Sequence, residues 1–144
     1  MPLIKQSELV PYTAEEMFAL IADVETYPEF LPGCERSWIE WRDGNRFRAG
    51  MAVRKGKVAF SFRTEQSLEP PLRLDLRLIE GPFRKLQGGW QIAPNTLGCR
   101  VSLTLDFEFE NRLVGAALSP VFKLMTGALV SSFRERAVKI HGRR

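Results

Sequence analysis

Side chains able to do acid, base or nucleophilic chemistry are few in this sequence, and their spacing suits none of it. The single histidine, His141, lies three residues from the C-terminus. An imidazole there caps a helix or meets solvent, and general-base catalysis needs a positioned partner that the sequence does not supply. Cys34 and Cys99 are the only cysteines, too few for a disulfide framework and without Cys-x-x-Cys or His-x-x-x-His spacing for a metal. They are expected to be reduced and partly buried. Asp106, Glu108 and Glu110 form a row of carboxylates, but Phe107 and Phe109 between them make this the wet face of a strand in preference to a glycosidase-like acid pair. Gly88-Gly89 lacks the Lys-Ser/Thr that would follow in a phosphate loop. No catalytic residue and no metal site emerge, so the chain is expected not to be an enzyme.

Two other sets of residues point to binding. Phe60, Phe62, Leu76, Phe83, Trp90 and Phe107 fall on one parity of their strands, and Phe122, Met125 and Leu129 on one stripe of a helix. Such a set fills a core, or lines an apolar cavity if the elements enclose more volume than the side chains fill. Gly115, Ala116, Ala117, Gly127 and Ala128 keep the helix slim enough to leave that space, with Gly127 or Ala128 at its border. Tyr27, Phe30 and Leu31 are expected near the entrance. The second set is basic. Arg46, Arg48, Arg54, Lys55 and Lys57, with Arg42, occupy the first hairpins, and Arg134, Arg136, Lys139, Arg143 and Arg144 the C-terminal end. Runs of this kind are solvated faces or anion-binding surfaces, and the first five are the candidates for RNA contact. A net charge of +4 and a pI near 9.4 tilt the surface toward RNA or acidic lipid, well short of a nucleic-acid-binding arm. DNA is not an expected partner.

These residues need elements to carry them. A chain of 144 residues with 44% hydrophobic content makes one domain, residues 1–144, with a core of its own. Leu3 to Val10 reads as a strand ending at Pro11. Thr13-Ala14-Glu15-Glu16 is a capping box opening a helix that ends near Asp23. Val24 to Leu31 reads as a second, irregular helix because Pro28 forbids a continuous one. Beyond Gly33 the period becomes two. Asp43-Gly44 and Lys55-Gly56 mark hairpin turns, and six strands follow one another, with Gly88-Gly89 allowing a sharp bend in one of them. From Leu113 to Ile140, the residues Leu118, Phe122, Met125, Leu129, Phe133, Ala137 and Ile140 recur at helical steps, with a kink expected at Pro120. That stretch is long enough for a bilayer, yet Ser119, Thr126, Ser131, Ser132 and Lys123 interrupt it and the rest of the chain needs a partner for its dry face. The expected fold is α+β: strand, two helices, six strands, long helix, with a curved antiparallel sheet of about seven strands around the last element. Met1 to Val10 has no apolar run fit for a signal peptide, so a cytoplasmic location is expected.

Several stretches in order carry a family resemblance: Val10-Pro11-Tyr12-Thr13-Ala14-Glu15, Asp23-Val24-Glu25-Thr26-Tyr27-Pro28-Glu29-Phe30-Leu31-Pro32, Gly81-Pro82-Phe83-Arg84-Lys85-Leu86, Gly88-Gly89-Trp90, Asp106-Phe107-Glu108-Phe109 and Phe133-x-x-Arg136-Ala137. Together they resemble the RatA-type ribosome association toxins and the coenzyme Q-binding START-domain proteins of the START-like, polyketide cyclase/dehydrase superfamily. The resemblance covers nearly the whole chain and implies a helix-grip fold. It implies two functions. Eukaryotic members bind ubiquinone as carriers or chaperones in respiratory electron transfer, whereas a bacterial member is described as binding the large ribosomal subunit and blocking subunit joining. Quinone or lipid binding ranks first, with ubiquinone or a similar polyprenyl quinone as bound ligand, no required cofactor, and transient contact with the inner-membrane surface. His141 departs from the family, standing where many relatives have Tyr.

Overall fold

The computed structural model describes residues 3–144. In chain order it comprises β1 (Leu3–Val10), α1 (Ala14–Ala22), a 3₁₀ segment (Val24–Glu29), β2 (Cys34–Asp43), β3 (Arg46–Lys55), β4 (Val58–Glu69), β5 (Arg73–Glu80), β6 (Phe83–Asn95), β7 (Gly98–Phe109), α2 (Arg112–Thr126) and α3 (Leu129–His141). This is the α+β order read from the sequence. The strands form one antiparallel sheet in the order β1-β7-β6-β5-β4-β3-β2. Short turns make β2 through β7 sequential neighbours, so the chain must cross from one sheet edge to the other between β1 and β2. The first two helical elements make that crossing.

Local chemistry starts and stops them. Thr13 Oγ1 accepts from the Glu16 amide at 3.0 Å while Glu16 Oε1 accepts from the Thr13 amide at 2.9 Å, closing the capping box. Pro28 confines the next segment to 3₁₀ geometry. Ser37 Oγ on β2 donates to the Val24 carbonyl at 2.5 Å, and the Tyr27 hydroxyl donates to the Ile21 carbonyl, so this irregular segment is tied at both sides.

The sheet curves because β6 carries two adjacent glycines. At φ +147° and +159°, Gly88 and Gly89 occupy backbone that side chains rarely adopt, and an added Cβ would lie 2.0 Å from the Thr104 carbonyl oxygen on β7 and 2.1 Å from that of Leu74 on β5. Both neighbouring strands therefore press on the bend. Into the concave face go Phe122, Met125, Leu129, Phe133 and Ala137 of α2 and α3, all buried. Each large side chain so buried contributes about 1.5–3 kcal/mol relative to exposure. The two helices together are long and apolar enough to cross a membrane; the sheet covers Phe122, Met125, Leu129, Phe133 and Ala137 of them, while Leu113, Leu124 and Ile140 stay exposed.

The break in this long element falls at Gly127–Ala128, and α2 runs unbroken through Pro120, where the sequence suggested a kink. Pro120 and Ala116 are both exposed, so the carbonyl that proline leaves without an amide partner is open to water. At the true break, the Gln6 side chain of β1 stands between two backbone groups that would bond each other in a continuous helix. Its Nε2 donates to the Thr126 carbonyl at 2.7 Å, and its Oε1 accepts from the Val130 amide at 3.2 Å. A polar side chain inserted in the helical ladder is a direct cause of a kink. Cys34 and Cys99 are free and buried, and burial pushes both thiols up to about 11.

Gly88→Ala should lower stability by at least about 2 kcal/mol, from backbone strain plus the clash with β7. Gly44→Asn, in a turn with open space around it, should cost less than about 1 kcal/mol because Asn tolerates positive φ. Urea midpoints at constant slope measure both.

Candidate ligand-binding site

Two aromatic clusters separate along the bent helix. Phe122 of α2 meets Phe107 at 4.8 Å, Phe83 at 5.1 Å and Phe62 at 6.3 Å between ring centres. Phe133 of α3 meets Trp90 at 5.1 Å, Tyr27 at 5.4 Å and Phe30 at 5.1 Å. Eleven residues of helix separate these two rings, roughly 16 Å at the helical rise. Members of both clusters, with Met125 and Leu129 from the helix, line one cavity between helix and sheet. About 70 Å³ of it is free space that water can reach. The walls are mostly apolar, and among the described residues no carboxylate, amine or imidazole reaches them. Tyr27 is the one titratable group present. Burial holds its phenol above the ordinary range, and its hydroxyl is already committed to Ile21, so it offers the cavity only a ring.

Of the residues proposed from the sequence, Tyr27, Phe62, Leu76, Trp90, Phe122, Met125 and Leu129 surround this space. The other five do not. Phe107 is buried behind Phe122, and Phe83 stacks on Phe109 at 4.8 Å with Phe60 beside them, so these three form a solid aromatic end wall. Leu31 is buried in the core. Phe30 packs on Phe133 and under the Arg136 guanidinium, 5.1 Å from its ring centre, by a separate surface depression. Tyr27 is itself buried, not at a mouth. Gly127 and Ala128 do not line the space, because the break turns Gly127 outward.

Sequence reasoning passed over Thr64, Gln66 and Thr126, the polar members of the lining. The signal was present: Phe60, Phe62, Thr64, Gln66 and Leu68 share one parity, so an inward face that begins aromatic turns polar halfway along β4. Leu86, Leu103 and Leu105 complete the sheet wall.

The basic candidates sit elsewhere, Arg46, Arg48 and Arg54 on the convex face and Lys55 and Lys57 at the β3–β4 turn. Arg46, Arg48 and Arg77 converge on the Glu65 carboxylate at 3.3, 3.2 and 2.7 Å, and these bonds, that from Arg77 foremost, hold its pKa below the ordinary range. Three guanidinium groups on one carboxylate leave this patch with excess positive charge. Arg54 pairs with Glu35 at 2.5 Å, while Lys55 and Lys57 have no carboxylate within salt-bridge distance among the described residues. The face also carries Trp38, laid flat against Gly50, whose added Cβ would come within 2.2 Å of the indole. Arg36 covers the Trp38 ring at 5.0 Å, and Arg48 covers Trp41 at 5.5 Å. The carboxylates of β7 face out, Asp106 to Lys85 and Glu108 to Arg84. His141 lies against Glu16, 3.5 Å from its carboxylate, far from the cavity lining.

A sheet gripping a bent helix over an apolar cavity fits one family profile, described as polyketide cyclase / dehydrase and lipid transport, which matches residues 10–134. The chain belongs to that family. Ribosome association toxin RatA of Escherichia coli (strain K12) is 39% identical over 145 residues, spanning 100% of this chain and 92% of the relative. Coenzyme Q-binding protein COQ10 homolog B of Xenopus laevis is 27% identical over 143 residues, spanning 96% of this chain and 59% of the relative. The crystal structure of the Zhui aromatase/cyclase from Streptomyces superposes with a TM-score of 0.83 at 17% identity, covering 99% of both chains. The fold is thus the START-like helix grip, and since a cyclase shares it, the fold leaves activity to the residues of the cavity.

Leu76 is half-buried and borders the free space, so Leu76→Trp should change stability by less than about 1 kcal/mol, whereas the same insertion into a solid core costs about 1–3 kcal/mol. Phe133→Ala, which removes a fully buried ring touching three others, should cost about 3–5 kcal/mol. Equal losses in urea denaturation would mean the helix is packed solid at this point.

Proposed function

We propose that this chain binds a polyprenyl quinone, ubiquinone or a close relative, between sheet and helix, and acts as its carrier or chaperone in respiratory electron transport. The observation that carries the reading is the cavity itself: an apolar wall of aromatic, leucine and methionine side chains, interrupted by a few buried polar groups, is the kind of site that takes an apolar molecule with an oxygenated end. The lipid-transport description of the family and the name of the Xenopus relative support it. The space is narrow, and a bound ring would displace Met51 and Met125, flexible side chains suited to reshaping a wall. No cofactor beyond the bound quinone is required. The absence of acid-base groups from the lining favours binding over cyclase or dehydratase chemistry. A cytoplasmic protein visiting the inner-membrane surface would fit such a role.

The test uses Trp90, the one tryptophan at the cavity. In a Trp38→Phe/Trp41→Phe background, a short-chain ubiquinone should quench its fluorescence saturably, and organic extraction of freshly purified protein followed by mass spectrometry should release a quinone. Unchanged Trp90 emission together with an empty extract would refute the reading.

A second reading rests on a different observation. The Escherichia coli relative spanning all of this chain at 39% identity is named for ribosome association. Arg46, Arg48 and Arg54 on the convex face, with Lys55 and Lys57 at the β3–β4 turn beside it, offer the positive charge such contact with the large subunit would need. Binding of that kind should fall steeply with salt as counterions are released. Charge reversal at Arg46, Arg48 and Arg54 should abolish cosedimentation with large subunits while leaving quinone uptake intact. Cosedimentation unaffected by the reversal would exclude this face, and none by the wild type at low salt would exclude the reading.

A further inference from the structure

We infer that Thr64 and Gln66 on β4, with Thr126 on α2, form a polar seat that selects the cavity's ligand by an oxygen-bearing ring, so that an apolar molecule of the same shape without oxygens is rejected. This deepens the reading of the cavity as a ligand site and rests on it.

The seat is built of buried side chains. Thr64, Gln66 and Thr126 retain 6%, 8% and 1% of their accessible surface, and all three border the cavity. Their mutual bonding leaves capacity unused. Gln66 Nε2 donates to Thr64 Oγ1 at 3.1 Å, and the Thr126 hydroxyl donates to the Phe122 carbonyl at 2.9 Å. Among the described residues the Gln66 side chain makes no other hydrogen bond, so its carbonyl oxygen and second N–H remain, with the Thr64 hydroxyl hydrogen and the lone pairs of Thr126 Oγ1. Donors and acceptors are thus both present in the lining, Thr64 and Gln66 side by side on β4 and Thr126 on the helix wall. Valine and leucine would fill the same positions without the cost of withdrawing polar groups from water, and a ligand that uses the spare capacity offsets that cost.

The chemistry that completes it is an aromatic or quinonoid ring bearing carbonyl or hydroxyl oxygens. A quinone carbonyl accepts from Gln66 N–H or the Thr64 hydroxyl, and a quinol hydroxyl donates to Gln66 Oε1 or Thr126 Oγ1. The two ends of the Gln66 amide exchange by a half-turn of the side chain, so one seat serves both redox forms. No charged group takes part, which sets this site apart from one for fatty acids or phospholipid headgroups.

The probes are decyl-ubiquinone and decylbenzene, loaded from cyclodextrin and quantified after organic extraction. The wild type should prefer the quinone by about 10- to 100-fold, the range expected when a ligand leaves buried hydrogen-bonding groups unpaired. Thr64→Val and Gln66→Met, each close to its parent in shape, should keep decylbenzene uptake and reduce the preference toward unity. Circular dichroism checks that each variant folds, and either variant alone suffices. Preference retained in a folded variant overturns the seat. Equal uptake of both probes by the wild type also overturns it while leaving the cavity reading intact. Uptake of neither probe would instead remove the cavity reading and the seat with it.

Discussion

The shape of this protein depends on one side-chain amide standing in a helix. Gln6 occupies the place of the Thr126–Val130 hydrogen bond and satisfies both groups it separates. Those groups would otherwise be orphaned, since the helical elements end and restart there. The bend sends Phe122 and Phe133 into different aromatic clusters, and the space between them is what the ligand would occupy. A straight helix would lay its stripe evenly against the sheet. The sheet answers with a bend of its own at Gly88 and Gly89, so grip and cavity come from two breaks in regular structure, each held by its neighbours.

Much of this was legible in advance. Alternation named the strands from β2 to β7, the Thr13–Glu16 box opened α1, and Phe122, Met125, Leu129, Phe133 and Ala137 declared the buried stripe, because each of these signals acts between residues close in the chain. What was not legible acts at long range. Pro120 is the obvious breaker, yet an exposed helix tolerates its missing hydrogen bond, whereas the actual break is set by a residue some 120 positions away in β1. The end wall of Phe60, Phe83 and Phe107 shares its parity with true lining residues, so parity alone cannot separate packed rings from rings facing space. The polar run on β4 was readable but overlooked, since attention to aromatics hides the point at which an inward face changes character.

Interior and exterior divide the chemistry. Around the cavity, polarity is neutral and comes from Thr64, Gln66 and Thr126, the Tyr27 hydroxyl being committed to Ile21. Outside, arginines outnumber the carboxylates they meet around Glu65, and two tryptophans lie under guanidinium groups. Glu65 is buried beneath its three arginines, whose guanidinium groups stay largely open to solvent, so the cluster both ties the strands together and presents positive charge. Ligand and ribosomal subunit would address opposite faces of the same sheet, and Gly50, which borders the cavity and bears the Trp38 indole on its other side, is where the faces come nearest. The two proposed roles therefore do not compete for the same face of the sheet.

The claim at the centre is that an apolar molecule enters between helix and sheet. Methionine methyl resonances report on it directly, because Met51 and Met125 line the cavity while Met17 is buried with α1 outside it. On titration with a short-chain ubiquinone, the Met51 and Met125 signals of 13C-methyl-methionine-labelled protein should shift saturably and that of Met17 should stay in place. Shifts spread over all three, or none at saturating quinone, would contradict a site in this cavity.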